Sequence, residues 1–182
     1  MKHGIVVVFP GTGYTCKERL FGECTVKYTS FGYDIVSLDF SNIPYKEINT
    51  LEEAIEKTKP VILEQLEGVI FEEYEDIIFI SKSLGTVCAN WVEEYFNVTP
   101  RQLYLTPLQE TLETIKTASR IMGMVIGTKD KHLDYKLMES LCLERKIPYL
   151  ICDDVGHNLK IDGDELKTQD ISMKIAKLCS TK

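Results

Sequence analysis

Asp76-Ile77-Ile78-Phe79-Ile80-Ser81-Lys82-Ser83-Leu84-Gly85-Thr86 is the stretch on which the fold turns. Asp76 to Ile80 is nearly all apolar and rich in β-branched residues, as in a strand covered on both faces. From Leu84 to Phe96 the apolar side chains Leu84, Val87, Trp91 and Phe96 follow a helical spacing. Strand therefore passes into helix through a sharp turn. Such a turn brings backbones close and needs small residues, and Ser81 and Gly85 flank Ser83 on either side. Ser83 stands at the apex, its hydroxyl directed outward at the helix N-terminus. There the helix dipole and the N–H of Leu84 favour a developing negative charge. The simpler reading is that Ser81 or Ser83 caps the helix, a common task for serine.

The same kind of strand recurs along the chain. Ile5 to Phe9, Asp34 to Phe40, Gln102 to Leu105, Ile121 to Ile126 and Pro148 to Cys152 bring the set to about six. Between them lie helical segments at Thr50 to Gly68, Asp134 to Arg145 and Asp164 to Cys179. Pro60 must break, kink or start a helix within the first of these. Alternating strand and helix predict an α/β protein: a three-layer sandwich around a mostly parallel sheet, with right-handed crossovers. No repeat, low-complexity tract or linker interrupts residues 1–182, so a single domain is expected.

Composition narrows the partners. Of 182 residues, 21 are Lys or Arg and 28 are Asp or Glu, a net charge of −7. Nucleic acid needs a basic field, and anionic membrane surfaces repel this sign. No apolar run approaches the roughly 18 to 20 residues of a membrane span. Ile5 to Phe9 is too short for a signal-peptide core. A soluble, cytoplasmic chain is expected. The six cysteines (Cys16, Cys24, Cys88, Cys142, Cys152 and Cys179) contain no C-x-x-C pair and read as reduced thiols, with no metal site implied.

Ligands of such a sheet bind beyond the carboxyl ends of its strands. Ser83 follows the third strand. Asp130 follows the fifth in Gly127-Thr128-Lys129-Asp130, and His157 follows the last in Val155-Gly156-His157-Asn158. After the first strand comes Pro10-Gly11-Thr12-Gly13-Tyr14. A glycine turn there can aim a backbone N–H at a nucleophile and, with the N–H of Leu84, make a two-donor oxyanion hole. Thr12 is the first choice for that donor, with Gly13 and Tyr14 as alternatives.

On Pro10-Gly11-Thr12-Gly13, Ser81-Lys82-Ser83-Leu84-Gly85, Gly127-Thr128-Lys129-Asp130 and Gly156-His157, the chain resembles the α/β-hydrolase superfamily. It is similar to a small member without a cap domain, a minimal α/β-hydrolase core. The order Ser, Asp, His matches the triad order of that sheet. Two positions depart: Ser81 replaces the first elbow glycine, and Pro10 stands where many members have histidine. The resemblance implies a serine hydrolase that cleaves a small acyl ester or thioester through an acyl-enzyme. Ser83, His157 and Asp130 would form the triad, and Thr12 and Leu84 the oxyanion hole. It implies no cofactor and no metal. A few members of the superfamily only bind ligands or partners.

Other assignments compete. Asp134 lies four residues past Asp130 and could supply the carboxylate. Asp153 and Asp154 sit too close to His157 to wrap round it. His132 could reach the site mouth, although a solvated surface position is the plainer reading. Lys82 is expected to be exposed. Gly11-Thr12-Gly13 with Asp39 also suggests a dinucleotide fingerprint, but Cys16 occupies its third glycine position. Between Leu105 and Ile121 only Thr106 to Arg120 intervenes, 15 residues, enough for a short helix such as Gln109 to Lys116 but not for a large cap. The site should be shallow and open. Gly13, Tyr14, Phe40, Tyr45, Pro107 and Leu108 are placed to shape its pocket. Trp91 is expected in the core, and the sequence leaves oligomeric state open.

Overall fold

The computed structural model describes residues 1–115 and 120–179. Along the chain run β1 (Ile5–Phe9), α1 (Arg19–Ser30), β2 (Asp34–Ser37), α2 (Leu51–Gln65), β3 (Ile77–Lys82) and α3 (Leu84–Tyr95). They are followed by β4 (Arg101–Leu105), α4 (Gln109–Thr114), β5 (Arg120–Gly127), α5 (Tyr135–Arg145), β6 (Tyr149–Cys152) and α6 (Glu165–Leu178). The strands form one sheet in the order β2-β1-β3-β4-β5-β6. Every pairing in it is parallel, so the expected mostly parallel sheet is wholly so.

The two-residue period of β1 explains the layers. Val6 and Val8 face a core shared with Leu20, Phe21, Cys24 and Tyr28 of α1 and Ile171 and Ile175 of α6. Ile5, Val7 and Phe9 face the opposite core, with Ala54 and Ile62 of α2 and Leu84, Cys88 and Val92 of α3. Tyr104, Met124 and Ile126 extend that layering to α5 through Met138 and Cys142. Trp91 packs against the α2–α3 core, as expected.

Three elements differ from the sequence reading. α1 went unread because Arg19–Ser30 contains Gly22 and several β-branched residues, so its helix rests on burial of Leu20, Phe21, Cys24 and Tyr28 rather than on propensity. β2 stops at Ser37 instead of Phe40. Asp39 leaves the ladder because its N–H and C=O are taken by the side-chain amide of Gln65 in α2, at 2.7 and 2.8 Å. α2 runs on through Pro60. The short helix expected from Gln109 is α4; its proposed end at Lys116 lies outside the described residues. All six cysteines are free. Among the described residues no helix is long and apolar enough to cross a membrane.

Sheet order positions the site. The chain steps from β1 outward to β2, then crosses back past β1 to β3. The carboxyl ends of β1 and β3 therefore flank a reversal point, where parallel sheets open a crevice.

Candidate active site

β3 ends at Lys82, and Ser83 takes φ 53° and ψ −124° before α3 begins. A non-glycine residue held there stores about 1–3 kcal/mol of strain. The neighbours hold it. Ser83 N–H donates to the Leu105 carbonyl at 3.0 Å, and its own carbonyl accepts from the N–H and hydroxyl of Thr86 at 2.9 and 2.6 Å. Gly85 lets α3 abut the end of β1: a Cβ there would fall 2.4 Å from the Phe9 carbonyl oxygen and 2.5 Å from that of Pro10. Ser81 is buried where the elbow pattern has glycine, and its hydroxyl donates to the Leu103 carbonyl at 3.3 Å. The turn after β1 passes against the apex. A Cβ on Gly11 would lie 3.1 Å from the Ser83 Cβ.

His157 and Asp130 converge on that apex. His157 Nε2 lies 2.8 Å from Ser83 Oγ, and Nδ1 lies 2.7 Å from Asp130 Oδ2. The two loops that carry them are knitted together. Thr128 N–H donates to the Cys152 carbonyl at 3.0 Å, and Lys129 N–H to that of Val155 at 2.9 Å. Gly127 has no room for a side chain, since a Cβ would sit 2.0 Å from the Val155 carbonyl oxygen. The Asp130 side chain is wholly shielded from solvent, and its Oδ1 accepts the His132 N–H at 2.8 Å. Burial alone would raise the Asp130 carboxyl. Hydrogen bonds from His157 and the His132 N–H, with the field of both imidazoles, outweigh it and hold the group below the usual carboxylate range. With Asp130 ionised, these bonds assign the His157 proton to Nδ1 and leave Nε2 to accept from Ser83. Burial, followed by the Lys82 and His132 charges, pushes His157 below its ordinary value against the pull of Asp130.

The structure sorts the remaining candidates. Leu84 is the first residue of α3, where helical N–H groups have no intrahelical acceptor. Gly11 and Tyr14 form a bridge, so exposed Thr12 and Gly13 make the tip of the turn, with open space beside the Gly13 Cα. Tyr14 packs on Phe21 and helps line a cavity of about 310 Å³ with Glu18, Arg19 and Lys160. Pro107 is buried. Phe40 and Tyr45, expected at the pocket, pack instead into the core beside α2. Asp134 caps α5 by accepting the Lys136 N–H at 3.0 Å, and so serves the helix rather than His157. His132 is exposed and its ring lies 4.3 Å from that of His157, centroid to centroid. A cleft of about 650 Å³ opens beside the imidazole, lined by Lys129, Lys131, His132, Asp154 and Asn158.

The expectation for Lys82 is corrected. Lys82 is 1% exposed, not solvated; its stem continues the buried run of β3 and its ammonium finds acceptors inside. In the sheet Lys82 pairs in register with buried Leu105, a contact that the residues around it do not reveal. The dinucleotide reading fails on geometry. A pyrophosphate needs a helix N-terminus opening within the glycine motif, whereas α1 starts only at Arg19. Cys16, at the third glycine position, donates its thiol to the Leu38 carbonyl at 3.2 Å.

No family model matches the chain, and no curated protein sequence does. Solved structures do. A Xanthomonas campestris protein assigned to the hydrolases of the α/β superfamily is 15% identical, with 99% of each chain covered and a TM-score of 0.63. An α-β serine hydrolase homologue from Coxiella burnetii is 12% identical over 97% of this chain and 83% of its own, with a TM-score of 0.62. A Pyrococcus furiosus esterase is 12% identical over 98% and 83%, with a TM-score of 0.61. The chain has the α/β-hydrolase fold. Likeness at this identity is a likeness of architecture, and chemistry has to be argued from the site.

Proposed function

We propose that the protein is a serine hydrolase that cleaves a small acyl ester or thioester. The observation that carries this reading is the unbroken path Ser83 Oγ, His157 Nε2, His157 Nδ1, Asp130 Oδ2, with Ser83 raised on a strained turn. His157 takes the Ser83 proton as Oγ bonds to the acyl carbon. The carbonyl oxygen becomes an oxyanion facing the backbone N–H groups of Leu84 and Thr12. As that intermediate collapses, the C–O or C–S bond breaks and His157 returns its proton to the leaving alkoxide or thiolate. Water, deprotonated by His157, then attacks the acyl-enzyme; Ser83 regains its proton and a carboxylic acid departs. Asp130 keeps the imidazole in the working tautomer throughout. The scheme needs only these groups and water.

Substrate shape follows from what surrounds Ser83. Among the described residues the β4–β5 connection carries the short α4, and nothing there the size of a cap covers the apex. Gly13, Tyr14 and Pro107 are the proposed lining beside the turn. The esterase among the structural likenesses supports the ester class. Six free thiols go with a cytoplasmic setting. A fluorophosphonate probe and a panel of nitrophenyl esters of graded length, with matching thioesters, test the reading. Native protein should be labelled and active while Ser83→Ala is neither. Equal labelling and turnover in both proteins would sink it.

A further inference from the structure

The hydrolase reading leaves the buried ammonium of Lys82 without a task. Lys82 is the last residue of β3, just before the apex, and its ammonium donates to Thr106 Oγ1 at 2.8 Å and to the His157 carbonyl at 2.6 Å. It also sits 4.7 Å from the centre of the Tyr14 ring, in the turn after β1. One side chain thus touches the loops after β1, β4 and β6 from the end of β3. Its two acceptors differ in kind. Thr106 is fully buried and its N–H donates to the Val125 carbonyl of β5 at 2.7 Å. The other acceptor belongs to the backbone of His157 itself. The loop around His157 is strained, with left-handed residues on both sides: Asp154 at φ 61° and Leu159 at φ 57°. A strained loop relaxes unless it is held. Burying an ammonium is costly, and an apolar side chain of similar size would fill the space with less penalty.

Resting on the hydrolase reading, we propose that Lys82 is the positioning residue of this site: its buried ammonium ties the His157 loop to the ends of β3 and β4 and holds the imidazole over Ser83. The charges that face it come from every side. Asp130 beyond β5 and Glu18 before α1 favour its charged form, while Lys160 beyond β6 opposes it. Burial is the largest influence and brings Lys82 down to about 7. Even without its charge, Nζ keeps enough protons for both bonds. The cation also opposes protonation of His157. Position and basicity of the imidazole therefore depend on the same group.

Lys82→Met and Thr106→Val test this with two readouts: the rate of fluorophosphonate labelling across pH, and the midpoint of the His157 ring by NMR titration. Lys82→Met should label on the order of 10 to 100 times more slowly, as expected for a misplaced general base. Its His157 midpoint should rise towards the ordinary histidine value, because the opposing cation is gone. Thr106→Val keeps Lys82 and loses one anchor, so it should slow labelling less. A folded Lys82→Met with native rate and midpoint overturns the proposal. Should that variant not fold, native rate and midpoint in Thr106→Val overturn it instead. Failure of the hydrolase reading shows separately, as wild-type protein that the probe does not label; the NMR midpoint in Lys82→Met then still decides for or against the clamp.

Discussion

β3 and β4 lie side by side, and both leave the sheet through a hydroxyl residue with positive φ: Ser83 at 53° and Thr106 at 44°. From there they diverge. Ser83 is half-buried, opens a helix, and presents its oxygen to an imidazole nitrogen. Thr106 is fully buried, precedes Pro107, and presents its oxygen to an ammonium. The backbone device is common to both strand ends, and the neighbours decide its use. An acceptor facing a solvent-reachable hydroxyl makes a nucleophile available. A donor facing an enclosed hydroxyl makes an anchor. Backbone strain by itself therefore does not identify a reactive residue; the protonation partner does.

The contrast breaks most easily on rate. Ser83→Ala should cut ester turnover by on the order of 10³ to 10⁶, while Thr106→Ala should cut it by only about tenfold through looser placement of His157. Similar losses in steady-state assays would mean the two hydroxyls are not distinct in role. Asp130→Asn should follow, with a fall on the order of 10⁴ in kcat, since an amide no longer holds the working tautomer. Stability should move in opposite directions at the two turns. Ser83→Gly releases strain and should gain about 1 kcal/mol in urea unfolding. Thr106→Gly releases strain too, but leaves Lys82 short of an acceptor, and should lose about 1–3 kcal/mol net. The smallest effect is in pH. His157 must be neutral to take the Ser83 proton, so kcat/KM should fall as pH drops through its midpoint. That midpoint should lie below the ordinary histidine value because burial and the Lys82 charge disfavour the imidazolium. An acid limb at or above the ordinary value would show that the Asp130 bond dominates instead.

Ser83, Asp130 and His157 were legible because each follows an apolar strand and the frame of small residues around Ser83 is local in sequence. All six strands were legible for the same reason. Thr106 and Lys82 were not. A threonine before proline looks like any turn, and its tie to β5 through the Val125 carbonyl is a contact made only in the folded sheet. Lys82 reads as polar, and only its partners, 24 and 75 residues away, make its burial tolerable. α1 escaped notice because packing against α6 and the sheet stabilises a helix that its own residues do not favour. The choice between Asp130 and Asp134 needed the cap bond of α5, a contact that depends on where the helix starts.

Lys82 grips the His157 loop by a main-chain carbonyl. Every amino acid carries one. The hold on the loop is thus independent of which side chains it displays, and exposed Asp162, which lines the cleft beside the imidazole, can be exchanged without touching it. For directed evolution this separates two problems that usually interfere: the wall of the cleft can be varied while the His157 ring stays registered over Ser83.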